Sequence, residues 1–544
     1  MARDRSPVAE GGGPVEAAIS HKRRNSNSSQ ANGKTTDSSR SPSASPPSPS
    51  HRSLSLPAAT TDGKISAKKK VSVTKPGIKE EVESGSGHPV TSPLIAGLPC
   101  YTWEEVAKHN TPASCWCYIG TKVYDITSWL DRHPGGRQVL LLSAGRDCTD
   151  LFISYHPFTE KPAQLLAKYC IGQVTTTEFP QYQPDSGFYK EVRQKVAEYF
   201  KENKLDSKDA KPGLTRLAIM MLVALTSYGL LISSVANQSC WVWQVLLAML
   251  YGWAQALPLL HLMHDASHCA IGHSERGWAI IGRFTLDFFV GASMNSWHNQ
   301  HILGHHVYTN VLGVDPDLPQ GKTGSFRRVC SLQRWHWAYR LQHLYLLVLY
   351  GFTALKFRVN DITDLFIFKT VGPIRMNDID NKEVLSQVCS KVFWILWRFV
   401  LPIACFGAAA GRFLLLQLVI EFITGYYLNF SFQISHVSPL CDFPDGEKPA
   451  VDDEWAYSQL KSTLDYAYHS KLTTFMNGAL NYQSVHHLFP SVSQYHYPAL
   501  APIINSVGRK YGIKINYVNT FTEAFNLHLQ HLYTLGVDSV FHHH

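Results

Sequence analysis

Residues 300–310, QHILGHHVYTN, place three histidines, His301, His305 and His306, within six positions. Two more stretches also contain closely spaced histidines. They are HDASH at 264–268, with His264 and His268, and NYQSVHHLFP at 481–490, with Gln483, His486 and His487. With 26 His in 544 residues, a lone HxxxH is expected by chance, but HxxxHH is not. The clusters therefore indicate a metal site.

The spacing of the histidines suits two metals. On a helix, residues four apart point the same way, so His264 with His268, and His301 with His305, can each reach into one cavity. Adjacent histidines fan out by about 100° and reach neighbouring ions. Iron, zinc and copper all accept imidazole. A zinc hydrolase fits less well, because Asp265 stands where HExxH enzymes have Glu; Asp265 either orients an imidazole or faces solvent.

Four apolar segments lie before and between these clusters. Residues 214–236 and 240–260 form one pair, and 392–409 and 413–429 form another. Each segment is long enough to cross a bilayer, which predicts four transmembrane helices in two hairpins. Basic residues lie before or at the start of the first segment, namely Lys201, Lys204, Lys208, Lys211 and Arg216. The positive-inside rule then places both termini, the 264–388 loop and the histidine clusters on the cytosolic side.

Two charges interrupt the second pair of segments. Arg398 and Glu421 lie at similar distances from the turn near residues 410–411, so they are expected at similar depth. An unpaired charge at mid-bilayer is costly, which favours an ion pair. The alternative is that Arg398 extends its side chain toward the interface.

Residues 98–176 form a small α+β domain, with the capping signal YTWEEV and β-type runs CWCYIG and KVYDI. His133 in HPGG and His156 are suited to bind a haem from opposite sides, with Gly135 and Gly136 letting the backbone approach. A haem with both axial positions filled relays electrons and leaves no site for O₂. The alternative is that HPGG is an ordinary turn and His156 is a surface histidine. This whole stretch resembles a cytochrome b5 domain, which implies His133 and His156 as axial ligands of haem b.

The remaining segments are simpler. Residues 1–97 are rich in Ser, Pro and Lys, lack aromatic residues and hold +6 of the net +8, which predicts a disordered basic tail. Without aromatics to stack on bases, nucleic-acid binding is not expected. Residues 177–212 form a linker whose helix, FYKEVRQKVAEYF, has an apolar face suited to a membrane interface. The cysteines form no CxxC pair or regular framework, which favours a reducing compartment.

The three clusters and the domain ahead of them resemble the cytochrome b5-fused front-end fatty acyl desaturases over roughly residues 98–530. The Gln of the third cluster is that family's signature. The resemblance implies an all-α polytopic desaturase domain at 213–535, with Gln483 at the metal site. The iron ligands it implies are His264, His268, His301, His305, His306, His436, His486 and His487. The histidines that flank the clusters are expected to pack against them or to support the ligands from outside the metal site; they are His261, His273 and His298. The terminal His542, His543 and His544 are not expected to belong to the site.

The implied reaction uses O₂ and two non-haem irons to place a cis double bond between an existing one and the carboxyl end of a polyunsaturated acyl chain. The details of the first two clusters favour the Δ5 position. The resemblance also implies an NAD(P)H-dependent cytochrome b5 reductase, a membrane lipid or acyl-CoA substrate, and the endoplasmic reticulum membrane. The alternatives are a sphingolipid Δ8 desaturase, a lipid hydroxylase, and a non-catalytic membrane haem protein that transfers electrons.

Overall fold

The computed structural model describes residues 87–406 and 410–537. The predicted disordered tail lies outside them as far as residue 86, as do His542, His543 and His544. Residues 87–97 contact the domain that follows. His88–Pro89 pairs antiparallel with Thr176–Thr177, and the Ile95 backbone exchanges two hydrogen bonds with the Gln173 side chain, of 2.7 and 2.8 Å.

The predicted α+β domain is confirmed. Thr102 and Glu105 form the expected capping box at the start of helix Trp103–Ala107. A five-stranded sheet has the spatial order Cys100–Tyr101, Cys170–Val174, Lys122–Asp125, Ser114–Ile119 and Asn110–Thr111. Helical segments follow at Thr127–Arg132, Arg137–Ser143, Thr149–Tyr155 and Lys161–Leu166, with a short turn at Ala167–Tyr169. They enclose a core with Cys115, Ile126 and Leu130.

The linker helix, Phe188–Glu202, packs on protein. Its apolar face is buried, with Val192 and Val196 inaccessible to solvent, among residues that include Trp455 and Phe489. The strand before it, Gln181–Gln183, pairs in parallel with Ala450–Glu454. The predicted membrane-interface position is therefore corrected, because an aromatic surface elsewhere in the chain covers the apolar stripe.

The expectation of four apolar helices in two pairs is confirmed within the described residues. The helices are Lys211–Ala236, Trp241–Ser267, Asn381–Ala404 and Ala410–His436, each long and apolar enough to cross a membrane. The second and fourth pack closely, and a Cβ on Gly252 would lie only 2.7 Å from the Ile420 carbonyl oxygen. Both extend beyond their predicted ends, and these extensions carry His264 and His436.

The histidine-bearing lobe consists of short helices beside the four apolar helices. Between the pairs lie Glu275–Arg283, Phe284–Val290, Met294–Trp297, His298–His305, Trp337–Leu341, Gln342–Gly351, Thr353–Thr363 and Asp364–Phe368. A hairpin of Thr370–Val371 with Ile374–Arg375 follows. After the fourth apolar helix come Trp455–Lys461, Lys471–Met476, Gln483–Leu488, Gln494–His496, Tyr497–Lys510 and Phe521–Val537. Asp465–Tyr466 pairs in parallel with Tyr517–Val518.

Candidate haem and metal centres

His133 and His156 face each other in the small domain, with ring centres 6.3 Å apart. The ring centres of two imidazoles bound to opposite faces of one metal would be about 6 Å apart, since each centre lies about 1 Å beyond a metal–nitrogen bond of about 2 Å. The Nδ1 of each ring points to a carbonyl, 3.2 Å from Gly136 O for His133 and 2.9 Å from Phe152 O for His156. This leaves both Nε2 atoms for the metal, so the pair fits an axially ligated haem.

The conformation of the HPGG loop depends on its glycines. Gly136 has φ +93°, a region that side chains disfavour, and a Cβ on Gly135 would lie 2.7 Å from the His133 ring. Burial lowers the pKa of both His133 and His156. Both rings are therefore held in the neutral form, which binds metal.

The other predicted ligands converge from four parts of the chain into two adjacent groups. The first group contains His264, His268, His301 and His486, whose candidate ligand atoms lie within 4.8 Å of one another. The Nε2 atoms of His264 and His301 are 3.1 Å apart. Two imidazoles about 2.1 Å from one ion at a right angle have this separation. The first group thus has the donor geometry for one metal.

The second group contains His305, His436 and His487, and His306 lies between the groups. The His306 Nε2 is 3.2 Å from that of His301, and its ring centre is 4.4 Å from that of His487. The structure thus brings together every predicted metal ligand. Asp317 completes a further candidate set with His301 and His305 that sequence reasoning missed.

A widened helical turn explains the middle cluster. Residues 298–305 form a π-helix, in which the His306 N–H donates to the His301 carbonyl oxygen at 2.9 Å. This turn brings residues five apart to the same side, whereas an α-helix would rotate His306 away. A second π-turn, Leu259–Met263, directly precedes His264.

Hydrogen-bond partners orient most of the rings through Nδ1. The partner atoms are Tyr155 Oη for His268 at 2.7 Å, Tyr497 Oη for His486 at 3.2 Å and Gln459 Oε1 for His487 at 2.8 Å. Asp315 Oδ2 is the partner of the His305 Nδ1 at 3.0 Å, and Ser462 O is the partner of the His436 Nδ1 at 3.1 Å. When these Nδ1–H groups donate, each Nε2 is free to bind metal. None of these partners was predicted, since each lies far from its histidine in sequence or outside the clusters.

Several buried ring nitrogens lack a hydrogen-bond partner among the described residues. They include Nε2 of His268, Nε2 of His486 and Nδ1 of His306. Burial holds the pKa of His301, His306, His486 and His487 well below the usual value, so these rings are neutral. Neutral, buried and unsatisfied nitrogens are the donors that a metal requires. The residues present therefore fit two nitrogen-ligated ions.

Gln483 lies beside the second group. Its Nε2 is 2.8 Å from the His436 Nε2 and 3.2 Å from the His487 Nε2, while its Oε1 has no partner in the described chain. Asp265 orients no cluster histidine and does not face solvent. It is buried and accepts a hydrogen bond from the Gln494 amide at 2.9 Å. His261 bonds the Phe475 carbonyl oxygen, and His273 pairs with Asp206.

An apolar cavity reaches the first group. His264 and Trp297 line it, as do Met263, Val290 and Phe432. The Trp297 ring also stacks on His301, with centres 4.3 Å apart. A hydrocarbon chain in this cavity would lie beside the histidines.

Fold and sites together define a class of membrane oxidoreductase in which a haem domain is joined to a histidine-rich acyl desaturase. Residues 239–519 match the model of the fatty acid desaturase family, and residues 102–175 match the cytochrome b5-like haem/steroid binding domain. The chain belongs to the fatty acid desaturase family, as an enzyme of the cytochrome b5-fused front-end type.

Curated relatives are similar over most of their length. "Acyl-lipid (8-3)-desaturase B" of Dictyostelium discoideum is 40% identical over 451 residues, covering 81% of this chain and 95% of the relative. "Delta(5) fatty acid desaturase A" of the same organism is 40% identical, covering 82% and 96%. "Acyl-lipid (8-3)-desaturase" of Mortierella alpina is 38% identical, covering 80% and 97%. Among solved structures, cytochrome b558 of Ectothiorhodospira vacuolata is 37% identical, covering 14% of this chain and 98% of its own, with a TM-score of 0.14.

Proposed function

We propose that this enzyme is an O₂-dependent Δ5 front-end desaturase with a di-iron centre. It places a cis double bond between an existing double bond and the carboxyl end of a polyunsaturated acyl chain. The two adjacent histidine groups beside an apolar cavity carry this proposal. Iron suits such a nitrogen-rich donor set when the chemistry requires O₂.

Two irons bound by these groups would supply the oxidising power to remove two hydrogens from unactivated methylenes. One O₂ is reduced to two waters by those two hydrogens, two external electrons and two protons. The chain's own residues hold the irons, position the substrate and exclude water. The acyl chain can pack against Met263, Val290 and Phe432, which line the cavity. His264 of the first group lines the same cavity. His133 and His156 would hold the haem through which the electrons arrive.

The Δ5 position rests on the relatives. One is named a Delta(5) fatty acid desaturase, and it aligns with this chain over 96% of its own length. The substrate would be an acyl chain carried by a membrane lipid or by CoA. An NAD(P)H-dependent cytochrome b5 reductase would reduce the haem domain. The enzyme would lie in the endoplasmic reticulum membrane. Four apolar helices support membrane insertion, and the basic residues before the first of them favour a cytosolic position for both termini and the active site.

Expression in a host that makes no polyunsaturated lipids, fed defined fatty acids, tests the proposal. We expect acids whose first double bond is at Δ8 to gain one at Δ5, as located by mass spectrometry of derivatised products. Cells expressing His305→Ala provide the matched inactive control. Hydroxylated products or desaturated sphingoid bases in place of Δ5 acids would contradict the proposal.

A further inference from the structure

Tyr155 joins the haem domain to the metal-binding groups. It is the last residue of helix Thr149–Tyr155, and the haem ligand candidate His156 follows it directly. Its Oη lies 2.7 Å from Nδ1 of His268, and the two rings are tilted by only 26°. The haem ligand candidate His156 is therefore connected to His268 of the first group through one peptide link, the Tyr155 side chain and one hydrogen bond.

Specific bonds fix this approach of the two domains. The Arg146 guanidinium donates to the Arg375 carbonyl oxygen at 2.9 Å, and the Arg375 guanidinium donates to the Gly145 carbonyl oxygen at 3.2 Å. The Asn377 amide donates to the carbonyl oxygens of Leu141 and Ala144 at 2.8 and 2.9 Å. Because buried backbone carbonyls need partners, these bonds favour one docked orientation. In that orientation Tyr155 reaches His268.

The hydrogen bond has a direction once His268 binds metal through Nε2. The His268 Nδ1–H then donates to the Tyr155 oxygen, which fixes the tautomer and the ring plane. The Nε2 of His268 has no hydrogen-bond partner among the described residues, as this arrangement requires. Tyr155 therefore also positions a ligand candidate of the first group.

We propose that Tyr155 is the route by which electrons from the haem domain enter the metal centre, and that they enter at the His268 side. This inference rests on the proposed function. In each transfer one electron leaves ferrous haem, which becomes ferric, and reduces one ferric non-haem iron to ferrous. Tyr155 keeps its proton and is neither oxidised nor reduced. Its hydroxyl shortens the gap that the electron must cross.

Tyr497 provides a matched control. Its hydroxyl contacts Nδ1 of His486, in the same group, at 3.2 Å. It lies at the start of helix Tyr497–Lys510, outside the haem domain, and no peptide link joins it to a haem ligand candidate. Tyr155→Phe and Tyr497→Phe thus each remove one hydrogen bond to the first group, but only Tyr155→Phe interrupts the connection to the haem ligand.

The experiment measures haem reoxidation in purified full-length enzyme. The haem is reduced, the protein is mixed with acyl substrate and O₂, and haem absorbance is followed by stopped flow. At matched iron content, we expect reoxidation in Tyr155→Phe to be about tenfold slower than in Tyr497→Phe. The haem spectrum and the KM for the acyl substrate should be unchanged in Tyr155→Phe, while kcat falls.

Equal reoxidation rates in the two variants would overturn the inference, as would a rate loss in Tyr155→Phe that only follows a loss of iron. The proposed function is judged separately, on the product of the wild-type enzyme. If the wild-type enzyme makes the Δ5 product and the two variants show equal reoxidation rates, the role of Tyr155 is refuted and the proposed function stands.

Discussion

The predicted ligand candidates require support from side chains outside their clusters. Gln459 shows this requirement, since its Oε1 faces the His487 Nδ1 at 2.8 Å and also accepts a hydrogen bond from Thr309 at 2.7 Å. We expect Gln459→Leu to weaken iron binding at the second group by about 10- to 100-fold, because the His487 ring loses its orientation. Metal titration of the apoprotein measures this change.

Gln459→Glu keeps an acceptor at the same position and serves as the control. It should bind iron more tightly than Gln459→Leu, with haem content unchanged in both. Equal iron affinity in the wild type and in Gln459→Leu would show that the His487 ring needs no such support.

The sequence indicated the clustered histidines but not the side chains that form hydrogen bonds with them. The HxxxH and HxxxHH spacings are local, so they show in a single stretch of chain. Tyr155 and Gln459 meet their histidines only after distant segments have packed together. Short-range patterns hold no signal for such contacts.

Among the elements, the apolar helices were predictable because hydropathy over about twenty residues reflects the bilayer. The π-turn at His301 was not, since it changes which residues share a face without changing composition. The linker helix was predicted as amphipathic, but its partner was not, because a periodic apolar face fits protein as well as lipid.

The buried position of the linker helix gives a direct prediction. We expect Val196→Asp to lower the free energy of unfolding by about 3 kcal/mol or more, because the carboxylate would be buried without a partner. Gln194→Asp, on the exposed face of the same helix, should have little effect. Thermal unfolding in detergent measures both. Equal melting temperatures would favour a helix that lies on the membrane surface.

The charges in the apolar helices form a larger network than the sequence indicated. Arg398 is buried, and its Nη2 lies 3.7 Å from the Glu421 carboxylate, so it does not extend to the interface. Glu421 also accepts a hydrogen bond from Arg358, on helix Thr353–Thr363. The Arg398 guanidinium lies 4.3 Å from the centre of the Tyr251 ring. Arg358 was missed because its helix is too short to be identified as a span.

We therefore expect Glu421→Leu to destabilise the protein by about 3–5 kcal/mol, since two guanidinium groups lose their carboxylate. Arg398→Leu should cost less, because Glu421 keeps Arg358. The double variant should not recover stability, since Arg358 still lacks the Glu421 carboxylate. Arg412→Leu, an exposed position on the fourth apolar helix, is the control. Full recovery in the double variant, measured by thermal unfolding, would show that Arg398 and Glu421 form an isolated pair.

In the protein as a whole, the cytochrome b5-like domain and the histidine-bearing lobe are docked, and Tyr155 connects their ligand candidates. The sequence indicated both domains, because each carries its own motif. It did not indicate their contact, since the bonds of Arg146 and Asn377 involve backbone carbonyls more than 200 residues away.

We propose that one chain holds a haem and a separate dimetal centre. The direct test is the ratio of non-haem iron to haem in purified full-length protein. We expect two non-haem irons per haem in the wild type. His133→Ala should lose haem and NAD(P)H-supported turnover while keeping both irons, and His305→Ala should lose iron while keeping haem. Wild-type protein that binds haem but no non-haem iron, when supplied with ferrous iron, would show that the histidine groups hold no di-iron centre.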